Sequence, residues 1–368
     1  MKTQLTVAPM VAVALLTLSG PVLAQENSQA QLYGTLSAAV IHKTNQTGGS
    51  SASELANDPF AFSLFGIRGN EDLGGGMSAT YRIESAISSD TGSAGGTVGT
   101  ANKFWNRQSF VGLNMGRVVS VSMGRQFHAS TDRVVRTLDV FNVGGSNLAV
   151  TPLALFGVNR FVGNDNRVDD SVKVRLNGPK GLQGGLSVGL DDGAGRSHAF
   201  DVAQVTPEYQ LGAWMVNFRS PTVAATGQRP EHQAWGIGGN VPVGPVRVYL
   251  HYVDSQIDPL AVGRVEQRNK IVHLGANWQA AQHVSVRVGY YRDRGTAVNG
   301  VNGRDGTKTT WVTQAAYSLS KRTSLSLGFA SNSFNDGYKL DPVNIGGLGR
   351  NAADSSTSMV SAGIRHDF

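Results

Sequence analysis

The chain has 368 residues, 46 of them glycine and none cysteine, and carries a formal charge of +6 at a mean hydropathy of −0.15. Lack of cysteine excludes disulfides and thiolate metal sites. The positive surplus points to an anionic partner: nucleic acid, a phosphate-rich surface, or small anions in transit.

The first stretch, "MKTQLTVAPMVAVALLTLSGPVLAQ", has Lys2, an apolar run from Leu5 to Leu18, and Val22-Leu23-Ala24 before Gln25. This is the pattern of a signal peptide over residues 1–24, cut after Ala24, with the mature domain at 25–368. No later segment approaches the roughly 18 uninterrupted apolar residues that a membrane helix needs. An exported chain of this kind is periplasmic, secreted, or a barrel of the outer membrane.

The mature chain has period two almost throughout. "TSLSLGF" sets Leu325, Leu327 and Phe329 on one face, and "VSVRVGYY" sets Val284, Val286, Val288 and Tyr290 against Ser285, Arg287 and Gly289. In "VRVYLHYV", Val246, Val248, Leu250 and Tyr252 oppose Arg247 and His251. Such alternation predicts half-buried strands. We expect sixteen: 31–43, 60–71, 77–88, 106–114, 118–126, 170–177, 182–191, 198–209, 212–220, 231–241, 243–255, 267–279, 283–294, 307–318, 323–334 and 355–368. Their connections alternate, tight at Gly74-Gly75-Gly76, Gly116 or Ser320-Lys321 and long at 44–59, 89–105, 127–169 or 335–354.

A meander with short connections at one end and long ones at the other, in strands of about ten residues, is an all-β fold of the transmembrane barrel type. Lipid around it demands that every backbone group pair within a closed sheet. The apolar face would then look outward. Tyr81, Trp214, Trp235, Tyr252, Trp278, Tyr290, Trp311, Tyr317 and Phe368 share its parity, as interfacial girdles require. The closing "MVSAGIRHDF" follows suit, with Phe368, His366, Ile364, Ala362 and Val360 alternating against Asp367, Arg365, Gly363 and Ser361.

Several stretches resemble the Gram-negative trimeric general porins. They are "SLFGIRGNEDLGGGMSATYRIE" (63–84), "NRQSFVGLNMGRVVSVSMGRQF" (106–127), "NRVDDSVKVRLNGPKGLQGGLSVGL" (166–190) and the final "GIRHDF", with "QLYGTLSAAV" similar to the family's first strand. The resemblance implies a sixteen-stranded barrel whose long third loop, 127–169, folds inward to narrow a water-filled pore. It implies a homotrimer set among outer-membrane lipid and lipopolysaccharide. It also implies that the alternating Phe368, His366 and Ile364 form the assembly signal read by the barrel assembly machinery. The chain departs from the family at Ser63-Leu64-Phe65-Gly66, which lacks the usual basic residue. Its third loop lacks the Pro-Glu-Phe-Gly stretch and is instead apolar over 148–158.

With the apolar parity toward lipid, the opposite parity assigns Arg68, Arg82, Glu84, Lys173, Arg175, Arg219, Arg247, Arg287, Arg365 and Asp367 to the lumen. Arg82 with Glu84 and Arg365 with Asp367 are candidate local pairs. The resemblance places Arg107 and Arg167 on the basic side of the constriction, with Asp132 and Asp139 facing them. Candidate constriction and selectivity residues are therefore Arg107, Arg167, Arg68, Arg82, Arg125, Lys173, Arg175, Asp132 and Asp139. Arg107 breaks the parity of Val111 and Leu113, so a bulge or strand end is expected there.

No G-x-S-x-G or metal-spaced cluster surrounds His251 and His273, and no nucleic-acid module accompanies the charge. We therefore expect no enzyme, no cofactor, no metal and no nucleic-acid partner. The expected function is passive diffusion of small hydrophilic or anionic solutes. The alternatives are a substrate-specific porin for an amphiphilic, aromatic or organic acid, and a barrel acting through its surface loops as an adhesin.

Overall fold

The computed structural model describes residues 29–94, 103–142, 149–152, 155, 167–190, 196–220, 223–224, 227, 229–259 and 261–368. The signal peptide expected over 1–24 lies outside them, as does most of the apolar 148–158 stretch.

Seventeen strands follow in chain order. They are β1 Gln29–Lys43, β2 Ala52–Ala56, β3 Leu64–Gly74, β4 Met77–Ala86, β5 Gln108–Met115, β6 Val119–Phe127, β7 Arg167–Asn177, β8 Leu182–Gly189 and β9 Arg196–Val205. The second half comprises β10 Gln210–Arg219, β11 Glu231–Val243, β12 Val246–Ile257, β13 Gln267–Ala281, β14 Val284–Thr296, β15 Gly306–Ser318, β16 Thr323–Asp336 and β17 Ser356–Asp367. From β3 onward each pairs antiparallel with the next, and β17 returns to β1 over Thr35↔Asp367 to Lys43↔Met359. Sixteen strands thus close a ring with no free edge, which lipid requires.

The short β2 is the unexpected element. β1 pairs with β3 over residues 29–35 and with β2 over residues 39–43, on the same edge. Between β2 and β3 the chain leaves the wall and dips into the lumen, so β3 begins at Leu64 rather than at residue 60. Ser63 fills the gap in the ladder: its hydroxyl accepts from Ser37 N–H at 2.9 Å and donates to Ser37 C=O at 3.0 Å. Phe60 on this detour is buried against the wall and stands 5.6 Å from Phe141 of the third loop.

The outward face is apolar, as its alternation requires. Leu32, Val111, Leu250 and Leu327 are 61%, 60%, 56% and 65% exposed, which suits a surface facing lipid or a neighbouring barrel. The aromatic girdle includes Trp235 beside Tyr252 and Tyr290 beside Trp311, with Tyr81, Trp278 and Tyr317 nearer the tight turns. Trp214 is a correction. It is buried in the lumen, where its indole Nε1–H donates to His251 Nε2 at 3.0 Å. Parity in β10 is reversed from expectation, and Leu211 and Met215 face outward instead. Arg219 accordingly leaves the lumen list and sits exposed on the outward parity of β10.

Closure is secured at the last residue. Phe368 and Gly34 exchange both backbone hydrogen bonds at 3.1 Å. The Phe368 ring lies directly over Gly34, where a side chain would collide with it. His366 and Ile364 share that outward, exposed face.

Candidate functional site: the lumenal constriction

After β6 the chain turns inward as a short helix, α1 (Ala129–Arg133), continued by a π-helical turn at Val134–Leu138. This segment lies along the inner wall of β8 to β14, and what anchors it is specific. Arg133 meets Asp201 of β9 at 2.7 Å, with side chains 2% and 0% exposed. Asn240 of β11 donates to the Thr137 carbonyl at 2.6 Å, and Tyr291 of β14 donates to Asp139 Oδ1 at 2.7 Å. Farther along, Asn332 of β16 donates to the Ala149 carbonyl at 3.1 Å.

Apolar residues complete the seal. Val134, Leu138, Val140, Phe141, Val150 and Leu155 pack on Trp214, Val216, Val253, Ile271, Tyr291 and Val312 of the wall. Two wall glycines permit the approach. A Cβ at Gly275 would stand 2.8 Å from Val140, and one at Gly289 would stand 2.6 Å from Phe141.

The opposite wall, β3 to β7, stays open and basic. Lys173 and Arg175 reach Asp132 on α1 at 2.9 and 2.7 Å, and Arg175 also meets Asp201 at 2.6 Å. Burial alone would raise the Asp132 carboxyl. Lys173, Arg175 and Arg136 outweigh burial and hold it well below the usual carboxylate range. Arg107 donates through Nε to Glu84 at 2.5 Å and lies over the Phe62 ring at 5.1 Å. Tyr33 donates to the second Glu84 oxygen at 2.8 Å, and the Arg68 and Arg82 guanidinia face the Tyr33 ring at 4.7 and 5.9 Å. β5 starts at Gln108, so Arg107 sits just beyond a strand end.

Arg167 is buried at the start of β7 with its guanidinium 4.6 Å over Phe127. Arg125 meets Asp169 at 2.6 Å beside the register shift between β6 and β7, and Lys103 joins the same carboxylate. Arg365 pairs with Asp367 at 3.0 Å, whereas Glu84 takes Arg107 as its ion-pair partner rather than Arg82. Asp139 does not face Arg107 or Arg167 across the lumen; it is buried against Tyr291 under the loop. Burial pushes its carboxyl up to about 6, against the opposing hydrogen bonds from Tyr291 and the Asn142 N–H. His273 stacks on Tyr291 at 4.5 Å and is equally buried. Sequence reasoning missed this packed polar layer and the Phe60 detour. The only available hint was that "WMVNF" and "VRVYLHYV" place large residues on both faces.

A sequence profile described as "Gram-negative porin" matches residues 11–337. The chain belongs to the Gram-negative porin family. It is a β-barrel of the outer membrane. The porin is 32% identical over 136 residues to outer membrane porin protein 32 of Delftia acidovorans, a match covering 37% of this chain and 36% of that one. It is 28% identical over 196 residues to major outer membrane protein P.IB of Neisseria meningitidis serogroup B, covering 51% of each. The porin therefore spans about a third to a half of the length of these curated relatives. Its fold is similar to that of the anion-selective porin from Comamonas acidovorans, with TM-score 0.73 at 19% identity over 93% of this chain and 100% of that one.

Proposed function

We propose that this porin is a passive diffusion channel for small hydrophilic solutes and ions, that it prefers anions, and that it works as a homotrimer. The observation that carries the preference is the asymmetry of the lumen. One wall is dry and covered by the third loop. The other presents Arg68, Arg82 and Arg175 to the open space, with Lys173 buried beside them and Asp132 the acid that α1 brings against Lys173 and Arg175. A narrow passage through low-dielectric surroundings focuses such a field, enriching anions and repelling cations. The likeness to a protein described as anion-selective agrees with this reading.

In this proposal Arg107 and Arg167 act as fixed parts of the basic wall, and Asp132 sets how far the field reaches toward the loop. Trimer contact is assigned to the outward face of β1 to β4, where Ala38 and Ala79 leave room for close approach, Gly34 being covered by the Phe368 ring. Single-channel recordings with salts of unequal ion size test the channel, and mild detergent extraction tests the trimer. Conductance should follow the anion more than the cation, and a heat-modifiable trimer should migrate above the monomer. An ohmic channel indifferent to the anion, or a monomer alone, would overturn the corresponding part.

A further inference from the structure

On the turn side of the constriction the lumen holds a cavity of about 470 Å³, bounded by β4 to β8 and by α1. That volume falls in the range of small-molecule sites, about 300–1,000 Å³. Five basic side chains line it, and three are already engaged: Arg133 by Asp201, and Lys173 and Arg175 by Asp132 and Asp201.

The other two are Arg82 from β4 and Arg136 from the π-helical turn. Among the described residues neither makes a hydrogen bond or an ion pair; Arg82 faces the Tyr33 ring at 5.9 Å and lends its charge to Glu84, and Arg136 lends its charge to Asp132. One guanidinium with its hydrogen-bond donors unpaired therefore comes from the wall and one from the loop, on a single cavity. Phe110, Phe127 and Val135 also line this cavity. Arg167 stacks on Phe127 and is not among the residues lining the cavity.

These features select a ligand class. A planar carboxylate matches the guanidinium fork. An inorganic anion or acetate would leave Phe110, Phe127 and Val135 unused, whereas a ring would bury apolar surface on all three. We propose that this cavity is a transit site for monocyclic aromatic carboxylates, with the carboxylate drawn to Arg82 and Arg136 and the ring against Phe110, Phe127 and Val135. The inference rests on the channel reading above, because the lumen is the route by which a solute arrives. Binding at such a site must be weak enough for the solute to leave again.

The test uses the full mature protein in a planar bilayer, with chloride carrying the current and benzoate, acetate or benzyl alcohol added at equal concentration. Benzoate should reduce the chloride current in a saturable way; acetate lacks the ring and benzyl alcohol the charge, and both should leave it nearly unchanged. Arg82→Gln and Arg136→Gln should each weaken the benzoate effect by about tenfold, as expected for losing one charged hydrogen bond. Phe110→Ala should weaken benzoate without creating sensitivity to acetate. An open channel in which benzoate and acetate act alike overturns the site and leaves the channel standing. So does a benzoate effect that the substitutions leave unmoved. If the refolded barrel passes no current, both proposals fall together.

Discussion

The two sides of the lumen obey different rules. Along β3 to β7 the inner face is polar and charged, and alternation means what it means in any membrane barrel: apolar out, wet in. Along β8 to β16 the third loop covers the inner face, and the wall beneath it carries Trp214, Val216, Ile271, Tyr291 and Val312, all buried. There both faces are apolar, one toward lipid and one toward the loop. The difference teaches that period two reports the presence of a covering surface, without saying whether lipid or protein supplies it.

The two sides differ most where charge is buried. Removing one partner of the Arg133–Asp201 pair leaves a charge stranded under the loop, which typically costs about 3–5 kcal/mol. Asp201→Asn should therefore lower the denaturation midpoint strongly and expose α1 to protease. A midpoint equal to that of the unmodified porin would mean the loop is not held there.

Next in size is the glycine seat. Gly289→Leu puts a side chain where Phe141 now lies, and overpacking of this kind costs about 1–3 kcal/mol. The loop should lift from the wall, with new protease cuts within 127–167 and noisier current. Unaltered digestion and quiet current would place the loop's hold elsewhere.

Acid acts on the same covered side. Asp139 has a folded pKa of about 6, above its ordinary 3.8. The docked loop therefore binds the extra proton between those values, and its stability from this group is greatest below about pH 4 and declines as pH rises through 6. Tyr291, His273, Arg287 and the Asn142 N–H face this carboxylate. Open-channel noise should fall on acidification from pH 7 toward 4.5, and Asp139→Asn should flatten that dependence. Noise that rises with acid in the unmodified porin would reverse the sign and refute the assignment.

The smallest effect is expected at the exposed rim. Lys43 and Glu54 meet at 2.6 Å with side chains 26% and 44% exposed. Glu54→Gln should change stability by no more than about 1 kcal/mol. A loss as large as that of Asp201→Asn would erase the distinction between the covered and open regions.

Much of this was legible in the sequence. The sixteen wall strands follow from alternation and turn chemistry, because each faces lipid on one side and local pairing fixes the other. The tight turns at Gly74–Gly76 and Gly116 are written in glycines at positive φ. β2 and the Phe60 detour were not legible, since Ser63 replaces a stretch of backbone ladder and no period announces that substitution. Trp214 was misplaced because its parity is apolar on both sides. Asp139 was misplaced because an acid in a constriction loop looks alike whether it faces the water or a buried tyrosine. The lumenal cations Lys173 and Arg175 were visible from parity alone, but their convergence on Asp132 depends on where α1 docks.

The open basic wall as the source of anion preference is tested most directly by the zero-current potential across a potassium chloride gradient. The unmodified porin should favour chloride, and the Arg68→Gln, Arg82→Gln double substitution should move the potential toward that of a non-selective pore. The difference should shrink near 1 M salt, where screening acts over about 3 Å. A potential favouring potassium, or one that the double substitution leaves unchanged at low salt, would contradict the account.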